Sequence, residues 1–208
     1  LYLAAVGVGT LRLIDDDTVA LSNLQRQIAF STPDIGQPKV KAASVALSAL
    51  NPHVAIEDRA ERLTALNARA LIDGCDVVID GTDDFGTRFA VNAACLVARI
   101  PLVSGALGRW SGQVGVFHGR PCYRCMVPDS PPDAETCSRV GVVGALAGVV
   151  GSMAALEAIK IIAGAGGPLS GRLLLYDGLE GTARTVRVAP DPGCPDCGQA
   201  NARWNRAT

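Results

Sequence analysis

The stretch of this chain from residue 11 to 39 carries residue types that can do chemistry. Alternating apolar residues, Leu11 and Leu13, lead into Asp15-Asp16-Asp17. A polar run follows, Ser22-Asn23-Leu24-Gln25-Arg26-Gln27, and Gly36-Gln37-Pro38 then leads into Lys39. A strand that ends in acid, followed by cations at helix starts, can hold a nucleotide. The acid accepts hydrogen bonds from ribose hydroxyls, and the cations meet phosphate oxygens. The same residues would equally suit a strand, a solvated turn and two surface helices. Gly7-Val8-Gly9 precedes a strand instead of following one, so it reads as a turn and not as a dinucleotide fingerprint.

The cysteines form a second pattern. Seven occur, at positions 75, 95, 122, 125, 137, 194 and 197. Cys122-x-x-Cys125 and Cys194-x-x-Cys197 each space two thiolates to reach one ion, and four such thiolates make a closed tetrahedral zinc site. Such a site would clip two distant segments together, which suits a structural role. The alternative is a redox-active pair, but neither pair opens a helix beside a βαβ unit. Cys75 and Cys95 read as core residues. Cys137 follows a Pro- and Asp-rich loop and precedes a helix start, where a thiol pKa falls; it reads either as an activated thiol or as an inert one.

The bulk numbers exclude several classes. The 208 residues are 49% hydrophobic and 19% charged, which is globular and core-rich. A formal charge of -1 gives no global attraction to nucleic acid or to an anionic membrane. Aromatics at 4% argue against a base-stacking surface. An odd cysteine count with no visible secretory signal argues against a disulfide framework and for a cytoplasmic protein. Residues 140–156 carry no charge and include Gly144-x-x-x-Gly148, but the run stops at Glu157 and Lys160. A spanning helix needs about 20 apolar residues, so a buried helix is expected here and no membrane span.

These residues need elements to position them. Residues 1–6 read as the end of a helix, stopped by Gly7. Residues 10–15 read as a strand, and Ser22 as the N-cap of a short helix reaching residue 30. Pro38 suits a first helical position before a helix at 39–50, ended by Asn51-Pro52. Strands follow at 54–56, 76–80 and 101–104, with helices at 65–73 and 87–99 between them. This alternation predicts an α/β fold with a doubly wound, mostly parallel sheet, whose ligands sit at the carboxyl ends of its strands. Asp15 and Asp83 lie at two such ends. Further on, a strand at 112–117, an apolar helix at 140–163 and an antiparallel pair at 172–176 and 185–188 are expected.

The ordered set of motifs resembles the ThiF/MoeB/HesA family, bacterial relatives of ubiquitin-activating enzymes. It comprises Asp15-x-Asp17-x-Val19, residues 21–27, Gly36-x-x-Lys39, Asn51-Pro52 and Asp80-Gly81-Thr82-Asp83. It continues through residues 101–105, Gly112-Gln113, Cys122-Tyr123-Arg124-Cys125, Cys137-x-x-x-Gly141-Val142, residues 157–160 and the closing Cys-x-x-Cys. The resemblance implies one Rossmann-like adenylation domain over residues 1–208. A nucleotide-binding half would span 1–110, and a zinc-bearing, carrier-binding half 111–198.

Members of that family are dimeric adenylyltransferases. They use ATP to adenylate the C-terminal glycine of a small ubiquitin-like sulfur carrier ending in Gly-Gly, and release pyrophosphate. The resemblance places Asp15 on the ribose, and Ser22, Asn23, Leu24, Gln25, Arg26 and Lys39 around the phosphates. It gives Asp83 the Mg2+, and Cys122, Cys125, Cys194 and Cys197 one structural Zn2+ per chain. Cys137 matches a position that in some members carries sulfur or bonds covalently to the carrier. Arg26, Lys39, Asp83 and Cys137 are thus the catalytic candidates. The pattern is nearest the branch serving molybdenum cofactor synthesis, with the thiamine pathway as alternative.

Two departures stand out. Where the family often has Asn after the metal-linked aspartate, this chain has Asp84, a further carboxylate beside a triphosphate and, with Asp83, a candidate cofactor contact. The chain opens at Leu1 with no initiator methionine, so the family's glycine-rich phosphate loop and an N-terminal arginine are expected upstream. Two other classes remain open. A scaffold could bind a ubiquitin-like partner without activating it. A NAD-dependent oxidoreductase would use the acid-ended strand but leave Arg26 and Lys39 without a task.

Overall fold

The computed structural model describes residues 1–130 and 141–198. Contacts divide the chain into two compact units, Leu1–Leu63 and Thr64–Thr208.

In the first unit, helix α1 (Tyr2–Val6) stops at Gly7. Gly7 takes φ +84°, a left-handed conformation that costs a glycine little. Strands β1 (Thr10–Ile14) and β2 (Ala55–Arg59) pair in parallel, from Thr10 with Ala55 to Ile14 with Arg59. Parallel neighbours need a crossover, and here it contains helix α2 (Lys39–Leu50). Pro38 sits at the cap position, one residue before the helix, and Asn51 closes it.

The helix expected from Ser22 to residue 30 does not form. Residues Leu21–Asn23 make a single 3-10 turn preceded by extended Ala20. Asn23 Oδ1 accepts the Ala20 N–H at 3.0 Å, and Arg26 Nη1 donates to the Ser22 carbonyl at 2.9 Å. Such side-chain bonds offer the backbone an alternative to a helix.

The second unit holds a five-stranded sheet in sequential order. Its strands are β3 (Val78–Asp80), β4 (Leu102–Leu107), β5 (Ser111–Phe117), β6 (Arg172–Asp177) and β7 (Thr182–Arg187). Only β3 and β4 pair in parallel; the other pairings are antiparallel. The five-stranded sheet is therefore mixed: its antiparallel β6–β7 pair is the one expected, while the rest is less parallel than the sequence predicts. The cause is local. Gly108 N–H donates to Ser111 O at 2.8 Å, closing a tight turn that leaves no length for a crossover.

Helix α3 (Ala68–Leu71) is shorter than expected, whereas α4 (Phe85–Ala98) starts two residues early. The early start follows from Asp84, whose Oδ2 accepts from Thr87 N–H at 2.8 Å as an N-cap. Helix α5 (Tyr123–Met126) is one turn.

Helix α6 (Gly144–Ala163) is long and apolar enough to cross a membrane; one face of it packs on β4 and β5, so the buried helix expected from the sequence is buried on that face alone. Leu146, Val150 and Ala154 are buried there above Val103, Val114 and Val116. Two glycines permit the approach. A Cβ at Gly105 would lie 3.4 Å from Val150 Cγ1, and one at Gly112 would overlap Val150 Cγ2. The opposite face of α6 keeps Gly148, Gly151, Leu156 and Ile162 exposed.

Gly112→Ala should therefore destabilise the second unit by about 1–3 kcal/mol through overpacking. A urea midpoint equal to the parent's would contradict the packing described.

Candidate functional site

In the first unit, β1 delivers its acids directly into a turn. Asp17 N–H bonds Asp15 Oδ1 at 2.8 Å, folding the chain back at the strand exit. Thr18 bridges to Pro38, and Val19 N–H donates to Gln37 O at 2.8 Å. This pairing delivers Lys39 to the acids. Lys39 is only 9% exposed; its Nζ lies 2.7 Å from Asp17 Oδ2 and 3.9 Å from Asp15 Oδ2. An ammonium carries three donors, so Lys39 keeps donors beyond the one given to Asp17. Arg62 Nη1 stands 3.8 Å from Asp16 Oδ2.

The structure thus brings Asp15 and Lys39, two of the candidate site residues, together. Ser22 and Gln25 are exposed, while Asn23, Leu24 and Arg26 are half-buried. Arg26 is held against its own turn by the Ser22 carbonyl.

In the second unit, Asp83 and Asp84 stand exposed in the loop after β3. Asp84 Oδ2 is occupied by capping Thr87, accepting its N–H and, at 2.6 Å, its hydroxyl. Asp80 is 3% exposed. Its Oδ1 accepts Thr82 N–H and Oγ1–H at 2.9 and 2.8 Å, while Oδ2 is buried without a hydrogen-bond partner. A buried carboxylate oxygen left unpaired is costly, and a cation at this strand exit would relieve it.

The four cysteines converge. Sγ of Cys122, Cys125, Cys194 and Cys197 all lie within 4.8 Å of one another, so the cluster could hold a metal ion. Cys122 and Cys194 are 3.6 Å apart at sulfur, and Cys125 and Cys197 3.3 Å, both too long for a disulfide near 2 Å. Cys122, Cys194 and Cys197 are nearly fully buried, with Leu96 packed on them. Burial pushes the Cys122 thiol up to about 11, and it also raises Cys197. Four soft sulfurs in tetrahedral reach, with Asp191 N–H donating to Cys125 Sγ at 3.4 Å, fit a thiolate-bound metal. Cys137 lies outside the described residues.

Sequence reasoning did not single out Arg88 and Asn92. Both are buried polar residues on α4, at 6% and 1% exposure. The available signal was two polar side chains four residues apart on an otherwise apolar helix face.

With this geometry in view, comparison with known proteins is decisive. The ThiF family model matches residues 1–196. The chain belongs to the ThiF family. It is 47% identical over 201 residues to a molybdopterin-synthase adenylyltransferase of Escherichia coli, covering 95% of this chain and 81% of that one. A sulfur carrier protein adenylyltransferase of Thermus thermophilus is 45% identical over 206 residues, covering 95% and 76%. A SAMP-activating enzyme E1 of Haloferax volcanii is 42% identical over 201 residues, covering 95% and 74%. Among solved structures, E. coli MccB with ATP superimposes with a TM-score of 0.81 at 21% identity. That match covers 94% of this chain but only 62% of the MccB chain, and it speaks to the fold alone.

Cys95 gives a check on the ThiF-fold core. Burial, with Asp80 and Cys75 nearby, pushes its thiol up to about 12, so at pH 8 it stays protonated and unreactive. Alkylation at pH 8 followed by peptide mapping should find Cys95 unmodified in the folded chain and modified after denaturation. Rapid labelling of the folded chain would contradict its placement.

Proposed function

We propose that this chain adenylates the C-terminal glycine of a small ubiquitin-like sulfur-carrier protein, releasing pyrophosphate, in molybdenum cofactor synthesis. The observation that carries this is the 42–47% identity, across 95% of the chain, to relatives named as enzymes of this kind. The general name of the Thermus relative keeps a second carrier, that of the thiamine pathway, as the alternative.

The carrier's terminal carboxylate attacks the α-phosphorus of ATP, and pyrophosphate leaves. No side-chain nucleophile is needed, so the protein's part is positioning and charge neutralisation. Asp15 receives the ribose hydroxyls. The turn at 22–25 lines the phosphates. Arg26 and Lys39 offset charge building on the phosphoryl oxygens, with Lys39 drawing on the donors that Asp17 leaves free. The loop after β3 suits Mg2+: Asp83 is exposed for ligation, and Asp80 Oδ2 lacks a partner. Mg2+ held by Asp83, with Asp84 beside it, would neutralise the departing phosphates. The four cysteines hold one structural Zn2+, which supplies folding energy and no chemistry. Cys137 is the candidate for bonding the activated carrier. The exposed apolar face of α6, with Leu156 at 57% and Ile162 at 47%, supports a homodimer.

Carrier-dependent ATP–pyrophosphate exchange tests this reading. Exchange should require a carrier ending in Gly-Gly, and Arg26→Ala or Asp83→Ala should lower it about 100-fold while the fold survives. Exchange at parental rates in either variant would overturn the assigned roles. Metal analysis of protein never exposed to chelator should find one zinc per chain, lost in Cys194→Ser. Protein free of metal would overturn the zinc assignment.

A further inference from the structure

Arg88 and Asn92 sit four residues apart on α4, so their side chains project from one face, about 6 Å apart along the axis. Arg88 reaches towards the loop after β3. Its Nη2 donates to Thr82 O and, at 3.1 Å, to Gly105 O of β4. Its Nη1 stands 3.5 Å from the Tyr123 hydroxyl, with the guanidinium 6.0 Å from the centre of that ring. Asn92 reaches towards the cysteines. Its Oδ1 accepts Tyr123 N–H at 3.0 Å, its Nδ2 donates to Asp196 Oδ2 at 2.7 Å, and Nδ2 lies 3.6 Å from Cys122 Sγ. Tyr123 and Asp196 lie inside the two cysteine pairs, so Asn92 ties α4 to both.

We propose that Arg88 is a positioning residue that couples the four-cysteine cluster to the Asp83 loop. Metal held by the cysteines fixes α4 through Asn92. Arg88, one helical turn earlier, then holds the Thr82 carbonyl and so orients the peptide leading into Asp83. The guanidinium meets three partners through two nitrogens, Nη2 on both carbonyls and Nη1 on the Tyr123 hydroxyl, and a lysine, shorter and with a single nitrogen, cannot reach all three in that geometry. The coupling runs along one rigid helix face and needs no change in the metal itself. Asp83's role as a Mg2+ ligand rests on the adenylation reading above; the mechanical link between cluster and loop does not.

Two measurements on the full chain test it. In the first, amide hydrogen exchange is followed as a chelator strips metal from the cysteines of the wild type. Protection across residues 81–88 should fall about 10-fold, in the same phase as residues 122–125 and 194–197. Unchanged protection at 81–88 would overturn the coupling.

The second uses Arg88→Lys in its zinc-loaded form. The Mg2+ concentration giving half-maximal pyrophosphate exchange should rise about 10-fold, with zinc content unchanged and exchange restored at saturating Mg2+. A purely structural role would lower the melting midpoint and the active fraction and leave the Mg2+ requirement where it was; that result would overturn the assignment. If Arg88→Lys does not fold, the exchange measurement on the wild type decides alone. A wild type inactive with every carrier would refute the adenylation reading and leave the exchange measurement to judge the coupling.

Discussion

The convergence of four thiols is the constraint on which the second unit turns. Cys122 and Cys194 are 72 positions apart, and α6 with the β6–β7 hairpin lies between the pairs. Closing that loop costs chain entropy that grows slowly with length, so one clip disciplines a long segment at modest cost. The surroundings present polar groups to the sulfurs, unlike plain core. An amide N–H at Asp191 and the Asn92 side chain aim at sulfur, and Asp196 orients Asn92 in turn. Groups that orient ligands in this way tune a metal site as much as the ligands themselves.

The first unit depends on charge pairing. Lys39 is almost buried, and an ammonium out of water is costly unless opposed. Asp17 and Asp15 oppose it at the end of β1, and the backbone pairing of 18–19 with 37–38 holds the arrangement in place. A pre-positioned cation of this kind does not need to be ordered when an anionic substrate arrives, which is the advantage of preorganisation.

Much of this was legible in the sequence, for identifiable reasons. The limits of α2 could be read from Pro38 and Asn51, and the stop of α1 from Gly7, because those residues act through their own backbone geometry. The cysteine pairs were legible because ligand spacing is a local rule. What failed depended on competition or on distant contacts. Ser22 looked like a cap, but Asn23 and Arg26 took the local hydrogen bonds instead. Asp84 looked like a loop acid near phosphate, yet its Oδ2 caps α4. The strand at 112–117 was legible but its direction was not, because the β4–β5 turn sets it after the strand–helix alternation has ended. Arg88 and Asn92 escaped notice because their partners at Thr82, Gly105 and Asp196 are set by tertiary packing alone.

The central claim is that this chain forms a mixed anhydride between AMP and the carrier's terminal glycine. Mass spectrometry of a Gly-Gly-ended carrier, incubated with the chain and Mg·ATP with no sulfur donor present, tests it most directly. An adduct of AMP on the carrier's C-terminal glycine is expected, and it should disappear when pyrophosphate is added. A carrier of unchanged mass, with ATP intact beside a zinc-loaded chain, would contradict it.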